Sequence, residues 1–457
     1  MNSEETINHH NKAELKQSYK SLENMEYDDN LSDKTHIYLI AKEYLIQENY
    51  SEALKNFYLI PEIILDNFEA AALYSNALFK EGFIYQSLQV LEILNNKEIS
   101  CDERINKYKC MVKDFNEKSQ VPLLTLCMIV KNESQNLPNC IESARHIVDE
   151  IIIIDTGSDD NTIETAKSFN CQVYNFQWNN DFSSARNESL KYAKGKWILY
   201  LDADEIIEIS DIYRFRQFII NMSEDVGGIN CIIESQVNKS RSDTEIQRGL
   251  YPRLFRNYAF PFVRFEGKVH EQVNYSLISL NKQIINSDIL IKHYGYSGSD
   301  EMIESKIKRN MKLLQKQLDE NPDDSYALFH LAQTYIKQQR LEDAETILLK
   351  ALDKQNLSPS IEASAYNTLS QISGIKGDFI NALKFAELSV EITENQKLGN
   401  LLLAESCFKL GDKIRAHTSI HKVLSLIQDK NFVPQIGFDI EFPESKLQNV
   451  LASLNKF

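Results

Sequence analysis

A helix pair that recurs at intervals of 34 to 38 residues restricts much of this chain to stacked helical units. Near the N-terminus, HIYLIAKEYLIQENYSEALKNF and AAALYSNALFKEGFIYQSLQVLEIL each run through one helix, a short turn and an amphipathic second helix, with Ala53 and Ser87 at matching positions 34 apart. Toward the C-terminus, PDDSYALFHLAQTYIKQQRLEDAETILLKAL, SAYNTLSQISGIKGDFINALKFAELSVEI and LLLAESCFKLGDKIRAHTSIHKVLSL repeat the pattern around Ala344, Ala382 and Ala416, at intervals of 38 and 34. Small residues at these points, with Ala332, let neighbouring helices approach while Leu and Tyr fill the seam. Pro322 suits the first turn of a helix that opens the C-terminal array. An irregular helical bundle is the competing account, and it competes most strongly for the two N-terminal units.

Between the arrays, from about Val121 to Ser297, apolar runs alternate with amphipathic stretches, the signature of an α/β domain. LLTLCMIV and EIIIID are unbroken and rich in β-branched residues, as strands buried on both faces of a parallel sheet are, and CQVYNF and KWILYLD read as two more. Helices are expected near Leu137 to Ile147, Asn161 to Phe169 and Ser183 to Lys194. Beyond Asp204, GINCIIESQV, YPRLFR and FVRFEGKVHEQV read as antiparallel, hairpin-like strands, which makes the sheet mixed. The expected organisation is a polar segment at 1–32, helical repeats at 33–118, the α/β domain at 121–298, a linker helix at 299–321 and a second helical array at 322–457.

Composition narrows the partners. The 457 residues, 43% of them hydrophobic, suffice for two or three domains with their own cores. A net charge of -16 spread along the chain argues against nucleic acid as the main partner, because phosphate binding needs clustered Lys and Arg. The opening MNSEETINHHNKAELKQ lacks the apolar core of a secretory signal, and no apolar run reaches the ~18 residues of a membrane span. The expectation is a cytoplasmic protein with no transmembrane segment. Seven cysteines without a CxxC pair read as reduced core residues.

Ligands of open α/β sheets bind beyond the carboxyl ends of the strands, so the polar residues that end each apolar run are the candidates. The first run ends in VKNES, which offers Asn132 and Glu133 as the frame of a nucleoside pocket or as a polar turn. The second ends in IDTGSDDNT, where Asp155 can accept hydrogen bonds from a base or ribose, although Gly, Ser and Asp also suit a plain turn. The fourth ends in YLDADE. Asp202 and Asp204 there can aim two carboxylates at one hard cation, Mg²⁺ or Mn²⁺, bridging the oxygens of a diphosphate. Departure of a nucleoside diphosphate builds negative charge that such a cation neutralises.

In order and spacing, CMIVKNE, EIIIIDTGSDDNT and DFSSARNESLKYAKGKWILYLDADE resemble the family 2 glycosyltransferases of GT-A fold, with weaker similarity through RLFRN, GKVHE and IKHYGY. The helical arrays resemble tetratricopeptide repeats, and WNNDFSSARN is similar to the matching segment of sublancin-type peptide S-glycosyltransferases. The resemblance implies a Rossmann-like GT-A domain with a mixed sheet, set between tetratricopeptide-like repeats. It further implies direct, inverting transfer from a UDP-sugar, with Asp155 on the uracil side, Arg186 as a donor-binding cation, and Asp202 and Asp204 at the metal and diphosphate.

Arg186 follows Asp181 and Ser183, either of which can cap its helix, and a guanidinium there can fork onto a phosphate; a surface salt bridge to Asp155 or Glu188 is the alternative. Inversion needs a base for the acceptor's proton. The usual acidic pair before a short helix is not obvious in this chain, and Glu271 in GKVHEQV is the candidate, with His270 as an orienting or donor-side group; an ordinary hairpin position is the competing account. His293 precedes a Gly-containing stretch suited to a lid and is either a third metal ligand or a structural histidine. Trp178 touches the donor or packs beneath the loop.

The leading expectation is a peptide or protein acceptor modified on Ser, Thr or Cys, because stacked helix pairs form extended concave surfaces. Transfer to a lipid or saccharide of the cell envelope, and a non-enzymatic repeat scaffold on a degenerate transferase core, are the alternatives. The repeats are also compatible with a homodimer.

Overall fold

The computed structural model describes residues 33–96, 108–113, 120–240, 243–294, 300–429, 432 and 439–440. The expected polar segment at 1–32, Cys101 and the 295–299 part of the expected lid lie outside the described residues. Contacts divide the chain into two units. One holds the residues up to Leu123 with Lys194–Lys196 and Asn257–Arg264, and the other holds Leu124–Ala193, Trp197–Arg256 and the chain from Phe265 onward.

The first unit is built on the helices Asp33–Ile46, Tyr50–Phe57, Pro61–Asp66, Phe68–Lys80 and Ile84–Asn96. Asn49 and Asn67 start two of them, each side chain accepting a backbone N–H three residues on. Ala53 is fully buried, and the Ser75 and Ser87 hydroxyls each donate to the other's carbonyl at 3.1 and 2.9 Å. The repeat's small positions thus sit at helix crossings, where the serines satisfy their own polar atoms. Tyr58 and Tyr74 set their rings edge-on, and the Tyr74 hydroxyl donates to the carbonyl of Phe260.

The second unit carries a mixed sheet and the C-terminal helices. The strands are β1 (Leu124–Val130), β2 (Glu150–Asp155), β3 (Gln172–Asn175), β4 (Trp197–Tyr200), β5 (Glu205–Glu208), β6 (Val226–Ser240), β7 (Asp243–Arg256), β8 (Gln283–His293) and β9 (Asp439–Ile440). Their order is β3-β2-β1-β4-β7-β6-β8-β5, with β9 on β7. β3, β2, β1 and β4 run parallel, β7 is antiparallel to both β4 and β6, and β8 is parallel to β6 and antiparallel to β5. The helices Leu137–Ala144, Thr162–Ser168 and Phe182–Leu190 return the chain between the parallel strands. An α/β domain with a mixed sheet, joined in the chain to helical pairs, is therefore the fold class, as expected.

One strand expectation fails. FVRFEGKVHEQV forms no ladder; its only pairing among the described residues is a bridge between Glu266 and Gln272 that closes a tight loop. The left-handed backbone of Gly267 (φ 101°) and His270 (φ 55°) breaks the extended run that its alternating residues suggest.

The C-terminal helices are Asp300–Glu320, Ser325–Lys337, Leu341–Asp353, Pro359–Ile375, Phe379–Ile392, Lys397–Lys409 and Lys413–Gln428. Ala332, Ala344, Ala382 and Ala416 are buried at their crossings. Asp324, Asp378 and Asp412 cap three of the helices, and Pro322 lies in the turn before Asp324 rather than in the first helical turn. Asp439 of β9 accepts the N–H groups of Lys397 and Leu398 at 3.1 and 2.9 Å, which ties the end of the array to the sheet. In the helix Asp300–Glu320, which covers the expected linker helix, Leu313 and Leu314 share a core with Val269, Ala327 and Leu331.

Five free cysteines (Cys127, Cys140, Cys171, Cys231 and Cys407) are buried, while Cys110 is exposed and so departs from the expected core role. No helix among the described residues is long and apolar enough to cross a membrane.

Candidate active site

The parallel strands end in a row of polar residues. At the end of β2, Asp155 is buried, and its Oδ1 accepts the N–H groups of Gly157 and Ser158, both at 3.0 Å. This turn needs the positive φ of Gly157, 104°. Oδ2 of Asp155 is buried with no hydrogen-bond partner among the described residues, an arrangement that costs free energy unless a donor reaches it. Asn132, with φ 57°, cross-links the ends of β1 and β2: its N–H donates to Ser158 Oγ and its Oδ1 accepts from Asp159, both at 2.9 Å. The Glu133 N–H donates to Thr162 Oγ1 at 2.8 Å. Burial raises the Glu133 carboxyl above its ordinary range, and the charges of Asp204 and Asp202 add to this against a hydrogen bond from Asn136.

Arg186 is the hub of the site. Asp181 starts its helix, accepting Ser184 N–H at 3.0 Å, while Ser183 turns its hydroxyl onto Asp181 at 2.7 Å instead of capping. The buried guanidinium lies over Tyr200, 4.8 Å from the ring centre, donates from Nη2 to Asp202 Oδ1 at 2.7 Å, and donates from Nε to Glu271 Oε1. Its partners are thus Asp202 and Glu271, and neither Asp155 nor Glu188. Burial alone would raise the Asp202 carboxyl; Arg186 and Arg253 outweigh it and hold the group well below its usual range. The Asp202 side chain keeps 38% exposure, so water moderates that pairing.

Arg253 and Glu205 complete the network and were not singled out in the sequence. Arg253 Nη2 donates to Glu205 Oε1 at 2.6 Å and lies 3.9 Å from Asp202 Oδ2, while Glu205 Oε2 accepts the Asp202 N–H at 2.9 Å. Burial raises the Glu205 carboxyl to about 7, with Arg253 opposing and Asp202 adding to the rise. An arginine inside the apolar strand YPRLFR was the available signal, because a buried guanidinium requires a carboxylate partner.

Asp204 and His293 pair through Oδ2 and Nε2 at 3.4 Å, and His293 Nδ1 lies 3.2 Å from Ser235 Oγ. Burial lowers the basicity of His293, but Asp204, Glu205 and Asp202 overcome this and raise it. Among the described residues no three His, Cys, Asp or Glu side chains form one metal-binding group. Arg186 and Arg253 face the Asp202 carboxylate, while His293 faces that of Asp204. One oxygen and one nitrogen fit Mn²⁺ or Mg²⁺ when diphosphate oxygens supply further ligands.

Glu271 is nearly buried, with Oε1 on Arg186 and Oε2 free of hydrogen bonds among the described residues. His270, beside it, is an exposed residue whose ring stacks on His330, with centroids 3.9 Å apart and planes 9° apart. Burial, then Lys337 and Arg309, lowers its basicity, though solvent access limits the burial effect. Trp178 packs edge-on against Phe182 at 4.8 Å.

Residues 125–273 match the family described as Glycosyl transferase family 2, and residues 304–363 match the Tetratricopeptide repeat. The chain is 30% identical to a TPR repeat-containing protein of Synechococcus elongatus, over 57% of this chain and 64% of the relative. It is 29% identical to the SPbeta prophage-derived glycosyltransferase SunS of Bacillus subtilis, over 60% of this chain and 63% of SunS. Each match spans slightly under two thirds of the relative's length. Among solved structures, S. aureus TarS 1-349 in complex with UDP-GlcNAc aligns over 70% of this chain and all of its own, at 14% identity and a TM-score of 0.32. Residues 125–273 are thus similar to a family 2 glycosyltransferase domain, and residues 304–363 to a tetratricopeptide repeat.

Proposed function

We propose that this chain is an inverting, metal-dependent glycosyltransferase that moves a sugar from a UDP-sugar to a Ser, Thr or Cys side chain of a peptide or protein in the cytoplasm. The observation that carries the reading is the guanidinium of Arg186, which binds Asp202 at the end of β4 on one side and Glu271 on the other. One buried cation thereby couples the diphosphate end of the site to the base. The unpartnered Asp155 Oδ2 supplies an acceptor for a uracil N–H, and a cation at Asp204 and His293 would neutralise the departing diphosphate.

In the reaction, Oε2 of Glu271 takes the proton of the acceptor hydroxyl or thiol. The freed lone pair attacks the anomeric carbon from the face opposite the diphosphate, the bond from that carbon to the diphosphate oxygen breaks, and UDP leaves. Arg186 holds Glu271 in one orientation throughout, which lowers the entropic part of the barrier. The peptide acceptor rests on the repeats and on the resemblance of WNNDFSSARN to the sublancin-type enzymes; the glycosyltransferase SunS is among the relatives.

Calorimetric titration of the full chain with UDP and Mn²⁺ tests the donor side. Binding is expected, and Asp155→Ala is expected to weaken it about 10- to 100-fold, the cost of a hydrogen bond to a charged acceptor. Unchanged affinity in that variant would remove Asp155 from the nucleoside pocket, and absence of binding to the native chain would overturn the donor class.

A further inference from the structure

We infer that the first C-terminal repeat is part of the catalytic site, with Tyr326 and His330 acting as positioning residues that hold Glu271 against Arg186. The inference rests on Glu271 as the base. The loop that carries Glu271 has little of its own to fix it. It is closed by backbone hydrogen bonds of 2.9 and 3.0 Å between Glu266 and Gln272, and it turns through the left-handed Gly267 and His270.

On one side the loop is held by the Phe182 N–H, which donates to the Lys268 carbonyl at 3.0 Å, and on the other by two helices of the C-terminal array. From Asp300–Glu320, Gln317 Oε1 accepts the Lys268 N–H at 2.8 Å and Glu320 pairs with the Lys268 ammonium at 2.9 Å. From Ser325–Lys337, His330 stacks on His270, and Tyr326 Oη accepts from Gln272 Nε2. Beneath them Val269 is buried against Leu313, Leu314, Ala327 and Leu331. The two residues flanking Glu271 in sequence are therefore the two that the repeat helix grips. Tyr326 also sets its ring edge-on to His330 at 4.4 Å, so both grips move as one. The opposite side of the loop meets the transferase domain, where Asn187 brackets Phe265 through hydrogen bonds of 2.9 and 2.7 Å. The loop that bears Glu271 thus lies between a helix of the transferase domain, which holds the carboxylate, and a helix of the repeat, which holds the residues on either side of it.

The full chain with Tyr326→Phe, which keeps the ring and loses the hydroxyl, tests this. UDP release is followed from UDP-glucose or UDP-N-acetylglucosamine, whichever the native chain hydrolyses faster, and UDP affinity is measured by calorimetry. Expected are a roughly 10-fold fall in kcat, UDP affinity within about 2-fold of native, and no further fall when Tyr326→Phe is added to Glu271→Gln. Gln272→Met, which removes the other half of the same contact, is expected to match it, and the pair together to do no more than either. Native kcat in Tyr326→Phe, an equal loss in the Glu271→Gln background, or a parallel loss of UDP affinity would each overturn the inference. Native kcat in Glu271→Gln overturns the base assignment itself, so the two failures are distinguishable.

Discussion

Replacing Arg186 with methionine is expected to lower donor turnover by about 10³-fold, through loss of the buried charge proposed to serve the diphosphate together with the orientation of Glu271. Methionine fills much of the space beside Tyr200 and Phe265, so the packing defect stays small; the electrostatic defect does not. Two carboxylates, Asp202 and Glu271, lose the donor they share. Breaking a fully buried pair costs about 3–5 kcal/mol, and the exposed edge of Asp202 lets water recover part of that, so a loss of about 2–3 kcal/mol in urea unfolding is expected. The loss carries a pH signature. Asp202 has a depressed folded-state pKa, so its contribution is present above the unfolded aspartate value of about 4 and is lost as pH falls through the folded value. The stability gap between native and variant is expected to narrow as the solution is acidified below about pH 4. A gap that is flat with pH, or turnover within 10-fold of native, would show that the guanidinium is not the coupling element.

Glu271→Gln is expected to slow transfer by about 10²- to 10⁴-fold while UDP affinity stays near native. The amide oxygen of glutamine can still accept from Arg186 Nε, so the hub remains in place and only proton acceptance is lost. The size of the effect also reports on the acceptor atom. A hydroxyl needs the base at any pH near neutrality, whereas a cysteine thiol with a pKa of about 8.5 ionises on its own, so its deficit shrinks as pH rises. Near-native transfer at every pH would place the base elsewhere in the pocket.

Where local chemistry decides structure, the sequence was legible. EIIIID and KWILYLD become strands because β-branched and apolar runs flanked by polar turns have few other ways to be buried, and Asp155, Asp202 and Asp204 follow from those strand ends. The small residues of the repeats reach helix crossings for the same kind of reason. Long-range charge pairing was not legible. That Arg186 would choose Asp202 and Glu271 over Asp155 depends on where β4 and the 266–272 loop come together, which no local pattern encodes. The same holds for Arg253 with Glu205. The apolar positions of FVRFEGKVHEQV suggested a strand, but Val269 is buried against helices instead, and a positive φ at His270 is only weakly signalled by its residue type. That loop also packs with the helices Asp300–Glu320 and Ser325–Lys337 in one core. Removing the chain beyond Pro322 would strip Ala327, Leu331, Tyr326 and His330 from the loop that bears Glu271.

The most direct measurement is UDP release by the purified full chain from a panel of UDP-sugars with Mn²⁺ or Mg²⁺, repeated in excess chelator and after the metal is restored. The account predicts release from at least one sugar, its loss in chelator and its return with metal. No release from any sugar, in a chain that also fails to bind UDP, would contradict the assignment as a glycosyltransferase, and full release in chelator would contradict the role given to Asp204 and His293.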